Sequence, residues 1–204
     1  MKKEMTKAHV PFKIGPNGLK MFSVTTCTSP YFYEMMRLSG VNEETIGHAS
    51  GKGTWVHKFC QCYALNLFTK PLPMEYEGYG QSFIRWADRY IEEVIWCEKY
   101  MEDIELGFYG TADLLVRLKG QSFISLVDLK TPTTYSTLWK IQLSAYRHLV
   151  RKWLAGRASH APEWCGSLML DKDGKMAKVV KHEYAARDLA VFLELLDARR
   201  YITT

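Results

Sequence analysis

Two stretches decide the fold of this chain: GTADLLVRL at residues 110–118 and FISLVDLKT at residues 123–131. Both are short, apolar and rich in strand-forming residues, and Lys119-Gly120-Gln121 between them reads as a hairpin turn. Strand alternation puts Ala112, Leu114, Val116 and Leu118 on one face and Asp113 on the other, with Thr111 and Arg117. In the second stretch Asp128 and Lys130 are two apart, so they project from one face at the end of the apolar run 123–127. An acid that ends a buried strand beside a lysine is costly to desolvate unless something compensates it. A divalent cation would do so.

Working outward, residues 138–154 predict a long amphipathic helix after Pro132. Strands follow at 166–170 and 175–184, turning at Asp171-Lys172-Asp173-Gly174, and a helix closes the chain at 186–201. Upstream, a strand is expected at 95–101 and a helix from about 81 to 94, where Phe83, Ile84, Ala87, Tyr90, Ile91 and Val94 recur at helical spacing. A helical stretch covers about 43–68, with Gly51-Lys52-Gly53 as a potential break. Trp55, Phe59, Cys62 and Leu65 lie along one side of its later half. Ser29-Pro30 opens a shorter helix to Leu38, and the first twenty or so residues read as irregular or a short hairpin. The pattern implies an α/β fold, helices packed around a mixed central sheet.

The 204 residues suit one domain, 1–204, with its core at about 53–154. No apolar run approaches the roughly 20 residues of a membrane helix, and the charged N-terminus is not a secretory signal. A cytoplasmic protein with no membrane association is therefore expected. The five cysteines are scattered without a CxxC pair, which supports neither a zinc site nor a disulfide framework. Net charge is +5, with Lys140, Arg147, Arg151, Lys152 and Arg157 in one stretch and Arg199-Arg200 near the end. Such clustering suits a polyanionic partner. Residues 47–53 superficially resemble a phosphate loop, but the spacing is one short and Gly53 stands where Ser or Thr is required. Residues 171–174 are too short for a calcium loop.

Phosphodiester hydrolysis needs charge neutralised at phosphorus and a water made nucleophilic at neutral pH, and hard cations on carboxylate and carbonyl oxygens supply both. Asp113, Asp128 and the Leu129 carbonyl are candidate ligands, with Lys130 orienting the water and stabilising developing negative charge. Spacing alone leaves a plainer alternative equally open: Asp128 and Lys130 as an exposed strand-end ion pair, Asp113 as a surface acid.

Four motifs in order move the balance: Gly53-Thr-Trp-Val-His57, Gly110-Thr-Ala-Asp113, Asp128-Leu-Lys130-Thr131 and Gln142-Leu-Ser-Ala-Tyr146. On these the sequence resembles the RecB-like branch of the PD-(D/E)xK nucleases, over most of the chain and most densely at 51–154. That group includes the RecB nuclease domain, CRISPR-associated RecB-like exonucleases, the mitochondrial genome maintenance exonuclease and many phage exonucleases. The resemblance implies a restriction-endonuclease-like core and a Mg²⁺ or Mn²⁺ cofactor. It makes Asp113, Asp128 and Lys130 catalytic and His57 a metal ligand. Gln142 and Tyr146 would support the lysine or contact substrate phosphate. Glu98 matches an acid on the first core strand that would hold a second ion or a water. Only Cys165 follows the core, so the iron–sulfur cluster of some relatives is not expected.

The resemblance therefore implies a metal-dependent DNA nuclease, an exonuclease acting on linear single- or double-stranded ends in recombination, repair or phage DNA metabolism. Lys140, Arg147 and Arg151 would track the phosphate backbone, and an imidazole ligand implies that Mn²⁺ serves at least as well as Mg²⁺. The alternative is a catalytically idle module that binds nucleic acid or a partner on the same fold.

Overall fold

The computed structural model describes residues 11–38, 40, 43–131, 135–155, 162–183 and 186–203. Strands β1 (Lys13–Ile14) and β2 (Lys20–Ser23) lead into helices α1 (Val24–Leu38) and α2 (Glu43–Ala64). A 3-10 turn (Met74–Tyr76) precedes α3 (Glu77–Tyr90), followed by strands β3 (Ile91–Asp103), β4 (Phe108–Leu118) and β5 (Ile124–Lys130). Helix α4 (Leu138–Leu154), strands β6 (Trp164–Met169) and β7 (Lys178–His182) and helix α5 (Ala186–Ile202) complete the chain.

All seven strands join one mixed sheet in the order β1-β2-β4-β5-β6-β7, with β3 also on β4. Its β2/β4 and β5/β6 pairs are parallel and the others antiparallel. Two apolar cores flank it. One packs Val24 and Cys27 of α1, Leu143, Tyr146 and Leu149 of α4 and Phe192 and Leu196 of α5 against the sheet. The other packs Val56 and Cys60 of α2 and Phe83 and Trp86 of α3 against the opposite face. No helix among the described residues is long and apolar enough to cross a membrane.

Strand β4 organises the sheet. Strand β3 pairs with it along its full length, so β2 and β5 share its other edge. Strand β2 pairs with Phe108 and Tyr109, and β5 with Leu114 to Arg117. Among the described residues no strand pairs with the edge between Tyr109 and Leu114. Side-chain alternation also slips there. Phe108, Ala112 and Leu115 enter the α1/α4/α5 core, whereas Leu114, Val116 and Leu118 enter the α2/α3 core. Ala112 is therefore on the opposite side from the face that simple alternation assigns. Strand β3 slips at the same level: Cys97 packs toward the α2/α3 core and Met101 into the other. Glu98, between them, has a left-handed φ of 51°.

Other elements differ from expectation for identifiable reasons. Helix α1 starts at Val24, six residues before Pro30, because Ser23 caps it: its Oγ accepts the Thr26 N–H at 2.9 Å. The β-branched run Val24-Thr25-Thr26 conceals that start. Helix α2 runs unbroken through Gly51-Lys52-Gly53 and ends at Ala64, where Asn66 turns left-handed (φ 53°). Its buried face carries Val56 and Cys60, one position round from the expected Trp55 stripe, and Trp55 is 46% exposed. Residues 91–94 belong to β3 rather than to α3, because pairing with β4 overrides their helical spacing. Helix α4 spans the expected residues, and Gly120 (φ 76°) makes the expected hairpin turn. Gly174 (φ 74°) closes the β6–β7 turn, where Asp171 Oδ1 accepts the Asp173 N–H. Expectations for residues 1–10 and for Pro132, Arg157 and Tyr184 fall outside the described residues.

A buried acid ties the sheet to α4. Asp103, at the end of β3, is 2% exposed. It accepts hydrogen bonds from the Leu106 N–H at 3.0 Å and Lys152 Nζ at 2.8 Å, and lies 2.8 Å from His148 Nε2. Burial alone would raise its pKa, but these donors hold it down at about 2. Asp103→Ala removes charge-assisted bonds and is expected to cost about 2–3 kcal/mol at neutral pH, measured by chemical denaturation. Because the folded pKa lies below the ordinary 3.8, the wild-type advantage should be full above about pH 4 and shrink as pH falls toward 2. Gly51, exposed within α2, has no atom within 4 Å of an added Cβ. Gly51→Ala should therefore stabilise the protein by about 0.5–1 kcal/mol in the same measurement.

Candidate metal centre

Four elements close on the unpaired edge of β4. The last β4–β5 ladder pair is Leu114↔Val127. Beyond it the strands part, and the Asp113 side chain takes over the ladder's role. Asp113 Oδ2 accepts the Leu129 N–H at 2.6 Å. In a strand the N–H and C=O of one residue point to the same edge, so the Leu129 carbonyl also faces β4. The Leu170 N–H donates to Lys130 O from the β6 side, consistent with this alternation.

A cleft of about 580 Å³ opens over this edge. Helix α2 supplies His57, with Gly53, Thr54, Lys58 and Gln61 along the same wall. Glu98 comes from β3, Thr111 and Asp113 from β4, and Asp128 and Lys130 from β5. Gln142 and Tyr146 of α4 and Thr25 of α1 form the facing wall.

His57 Nδ1 lies 3.5 Å from Asp113 Oδ1 and 4.0 Å from Glu98 Oε1. One ligand atom from each of these three residues falls within 4.8 Å of the others. Octahedral ligation by Mg²⁺ at ~2.1 Å spaces neighbouring ligands about 3.0 Å apart and opposite ones about 4.2 Å. The trio is near that spacing before any ion draws it in. Asp128 and Lys130 do form an ion pair, Nζ to Oδ2 at 2.7 Å, but a buried one: Asp128 is 4% exposed. Asp113 is buried too. Asp128 Oδ2 is fully enclosed, with that ammonium against it. Three carboxylates and an imidazole around one cleft are donors of the kind a hard divalent ion takes, so the residues present fit one.

The titration behaviour reflects this crowding. Burial raises Asp128 to about 6, the nearby Asp113 charge adding to the rise and Lys130 opposing it. Burial and Asp113 raise Glu98 to about 7. Burial would lower the His57 pKa, but the Asp113 carboxylate outweighs it and raises it. Conversely, burial works against ionised Asp113, yet His57, Lys130 and the Leu129 N–H hold it below the usual range. Three carboxylates, Glu98, Asp113 and Asp128, thus crowd one cleft with Lys130, His57 and Lys58.

On the facing wall, Lys130 Nζ donates to Gln142 Oε1 at 3.0 Å, and Gln142 Nε2 lies 3.5 Å from Tyr146 OH. A side-chain hydrogen bond joins Tyr146 to Thr25. A Cβ on Gly110 would come within 2.6 Å of the Tyr146 ring, which explains physically why a glycine stands three residues before Asp113.

The structure thus brings His57, Glu98, Asp113, Asp128, Lys130, Gln142 and Tyr146 together. It does not bring Lys140, Arg147 or Arg151 into this cleft. Arg147 donates to Pro162 O at 3.0 Å, while Arg151 lines a separate hollow with Asp103 and His148. Lys140 lies beside His182, Glu183 and Asp188. These side chains point away from the α4 face that carries Gln142 and Tyr146, and a charge count does not reveal which face a helix presents. Lys58 and Gln61 were missed, although Gln61 lies four residues from His57 on one face of α2, and Lys58 lines the same wall. Thr25 gave no signal in the sequence.

Compared with protein-family models and with curated protein sequences, the chain matches none.

A group whose folded pKa exceeds its ordinary 3.8 stabilises fully below that value and loses this contribution as pH rises through about 6. Asp128→Asn keeps the group neutral. In EDTA at about pH 8 it should raise the melting temperature above that of the wild type. The difference should vanish toward pH 4.

Proposed function

We propose that this chain is a divalent-metal-dependent nuclease of the PD-(D/E)xK class with a restriction-endonuclease-like core, acting as an exonuclease on DNA ends. One observation carries the reading: four motifs spread over about ninety residues of sequence, from Gly53 to Tyr146, line one cleft. A strand-end ion pair with an unrelated surface acid would not require His57, Gln142 and Tyr146 to meet it.

His57, Asp113 and Glu98 would hold a divalent ion, with Asp128 and the Leu129 carbonyl completing its oxygen-rich surroundings. When bound, that ion would supply charge neutralisation at the phosphate and a lower pKa for the attacking water. Lys130 is fixed between Asp128 and Gln142. With three donors, one given to Gln142 and one turned to Asp128, its Nζ keeps one for a non-bridging phosphate oxygen as negative charge builds there. Gln142 orients the lysine, and Tyr146 and Thr25 brace the glutamine. The site buries both aspartates, which keeps bulk water from screening these interactions.

Purified protein given linear and covalently closed DNA with Mn²⁺ or Mg²⁺ tests this. Degradation should be confined to linear DNA, at least as fast with Mn²⁺ as with Mg²⁺. Asp128→Ala and Lys130→Ala should each reduce the rate by at least about 100-fold. Cutting of closed circles would make the enzyme an endonuclease. Absence of metal-dependent cleavage on any nucleic acid would remove the proposal.

A further inference from the structure

Beside the cleft, at the junction of β5 and α4, three rings cluster. Trp139, in the first turn of α4, is buried and lies with its ring 5.9 Å from Lys130 Nζ. Tyr135 meets it edge-on, with centroids 5.2 Å apart at 82°. Its other neighbour is His182 of β7, near-parallel at 28° with centroids 6.1 Å apart. Although held by two rings, Tyr135 remains 46% exposed. Laid end to end, the two contacts put its ring no more than about 11 Å from the catalytic lysine's Nζ. That is about three stacked nucleotides, at ~3.4 Å each.

The charge around these rings is mixed, with lysines able to meet a phosphate. Lys140 follows Trp139, and the first turn of α4 contains no acid. Lys181 sits over the Trp164 ring, one residue from His182. Neither lysine is needed by the metal centre. A large ring anchored on two sides, exposed on a third and with Lys140 and Lys181 in its neighbourhood, alongside the acids Glu183 and Asp188, offers a nucleobase a face to stack on, whatever its sequence. A base stacked inside a duplex presents no free face to it.

We propose that Tyr135, backed by Trp139 and His182, is a stacking subsite for an unpaired nucleobase of the strand being cut, so that the enzyme engages single-stranded or frayed ends. This rests on the nuclease reading of the cleft. It adds a specificity-determining residue that acts on the base rather than on the phosphate.

The experiment titrates protein, with Ca²⁺ in place of the active metal, into single-stranded oligodeoxynucleotides bearing 2-aminopurine at successive positions from one end. Wild-type protein should quench the fluorophore at one position near the cleavage point. Tyr135→Ala should abolish that quenching and weaken binding about tenfold or more. Tyr135→Phe should keep both. Tyr135→Leu, which retains bulk without a π-face, should behave as alanine does, and its unfolding transition shows that the fold is intact. Position-specific quenching and affinity unchanged in the alanine and leucine variants would overturn the subsite. Metal-dependent cleavage by the wild type is measured alongside. If it persists while Tyr135 has no effect, only the subsite fails. If wild-type protein neither binds nor cuts, both proposals fail.

Discussion

The site depends on one hydrogen bond. Where β4 and β5 part, the Leu129 N–H loses its backbone acceptor and takes the Asp113 carboxylate at 2.6 Å instead. An unmet N–H at this depth would be costly, so the bond lets two central strands diverge without an orphaned donor. It also fixes one Asp113 oxygen and leaves the other facing His57 and Glu98. The divergence opens the β4 edge, and the left-handed backbone at Glu98 occurs at the same level on the neighbouring strand. A residue held with positive φ mid-strand is strained, and here that strain coincides with a carboxylate delivered to the cleft.

Two buried aspartates show how the same side chain serves opposite ends. Asp103 is enclosed by donors and stays ionised, with a pKa near 2, which locks α4 to the sheet. Asp128 is as little exposed, but it sits deeper among protein atoms and beside the Asp113 charge, and its pKa climbs to about 6 although Lys130 lies against it. Burial costs Asp128 more, and the neighbouring carboxylate adds to that cost. The first arrangement stabilises the fold. The second gives up stability at neutral pH to crowd carboxylates into one cleft, as expected of a site built for a ligand rather than for folding.

Much of this was legible in the sequence. The hairpin, its turn and α4 follow from alternation, Gly120 and an unbroken 3.6-residue period, which depend on local patterns. Asp128 and Lys130 meet because they are two apart on a strand, and Gln142 and Tyr146 because they are four apart on a helix. Other features were hidden because they arise from tertiary contact. Strand β3 claims Ile91 to Val94 through pairing with β4, against their helical spacing. The slip that moves Ala112 to the other core comes from the splayed edge, which no single-strand pattern encodes. The basic side chains of α4 appear from sequence as one cluster, yet Arg147 and Arg151 are engaged elsewhere in the fold. Helix α1 was read short because its cap is a serine at the end of a strand.

Anomalous diffraction from crystals soaked in Mn²⁺ would show whether His57, Glu98 and Asp113, with Asp128 beside them, hold a divalent cation. A manganese peak is expected within bonding distance of His57 and an Asp113 oxygen, in the cleft bounded by Lys130. Manganese bound only elsewhere, or a cleft that stays free of metal at saturating Mn²⁺, would contradict it.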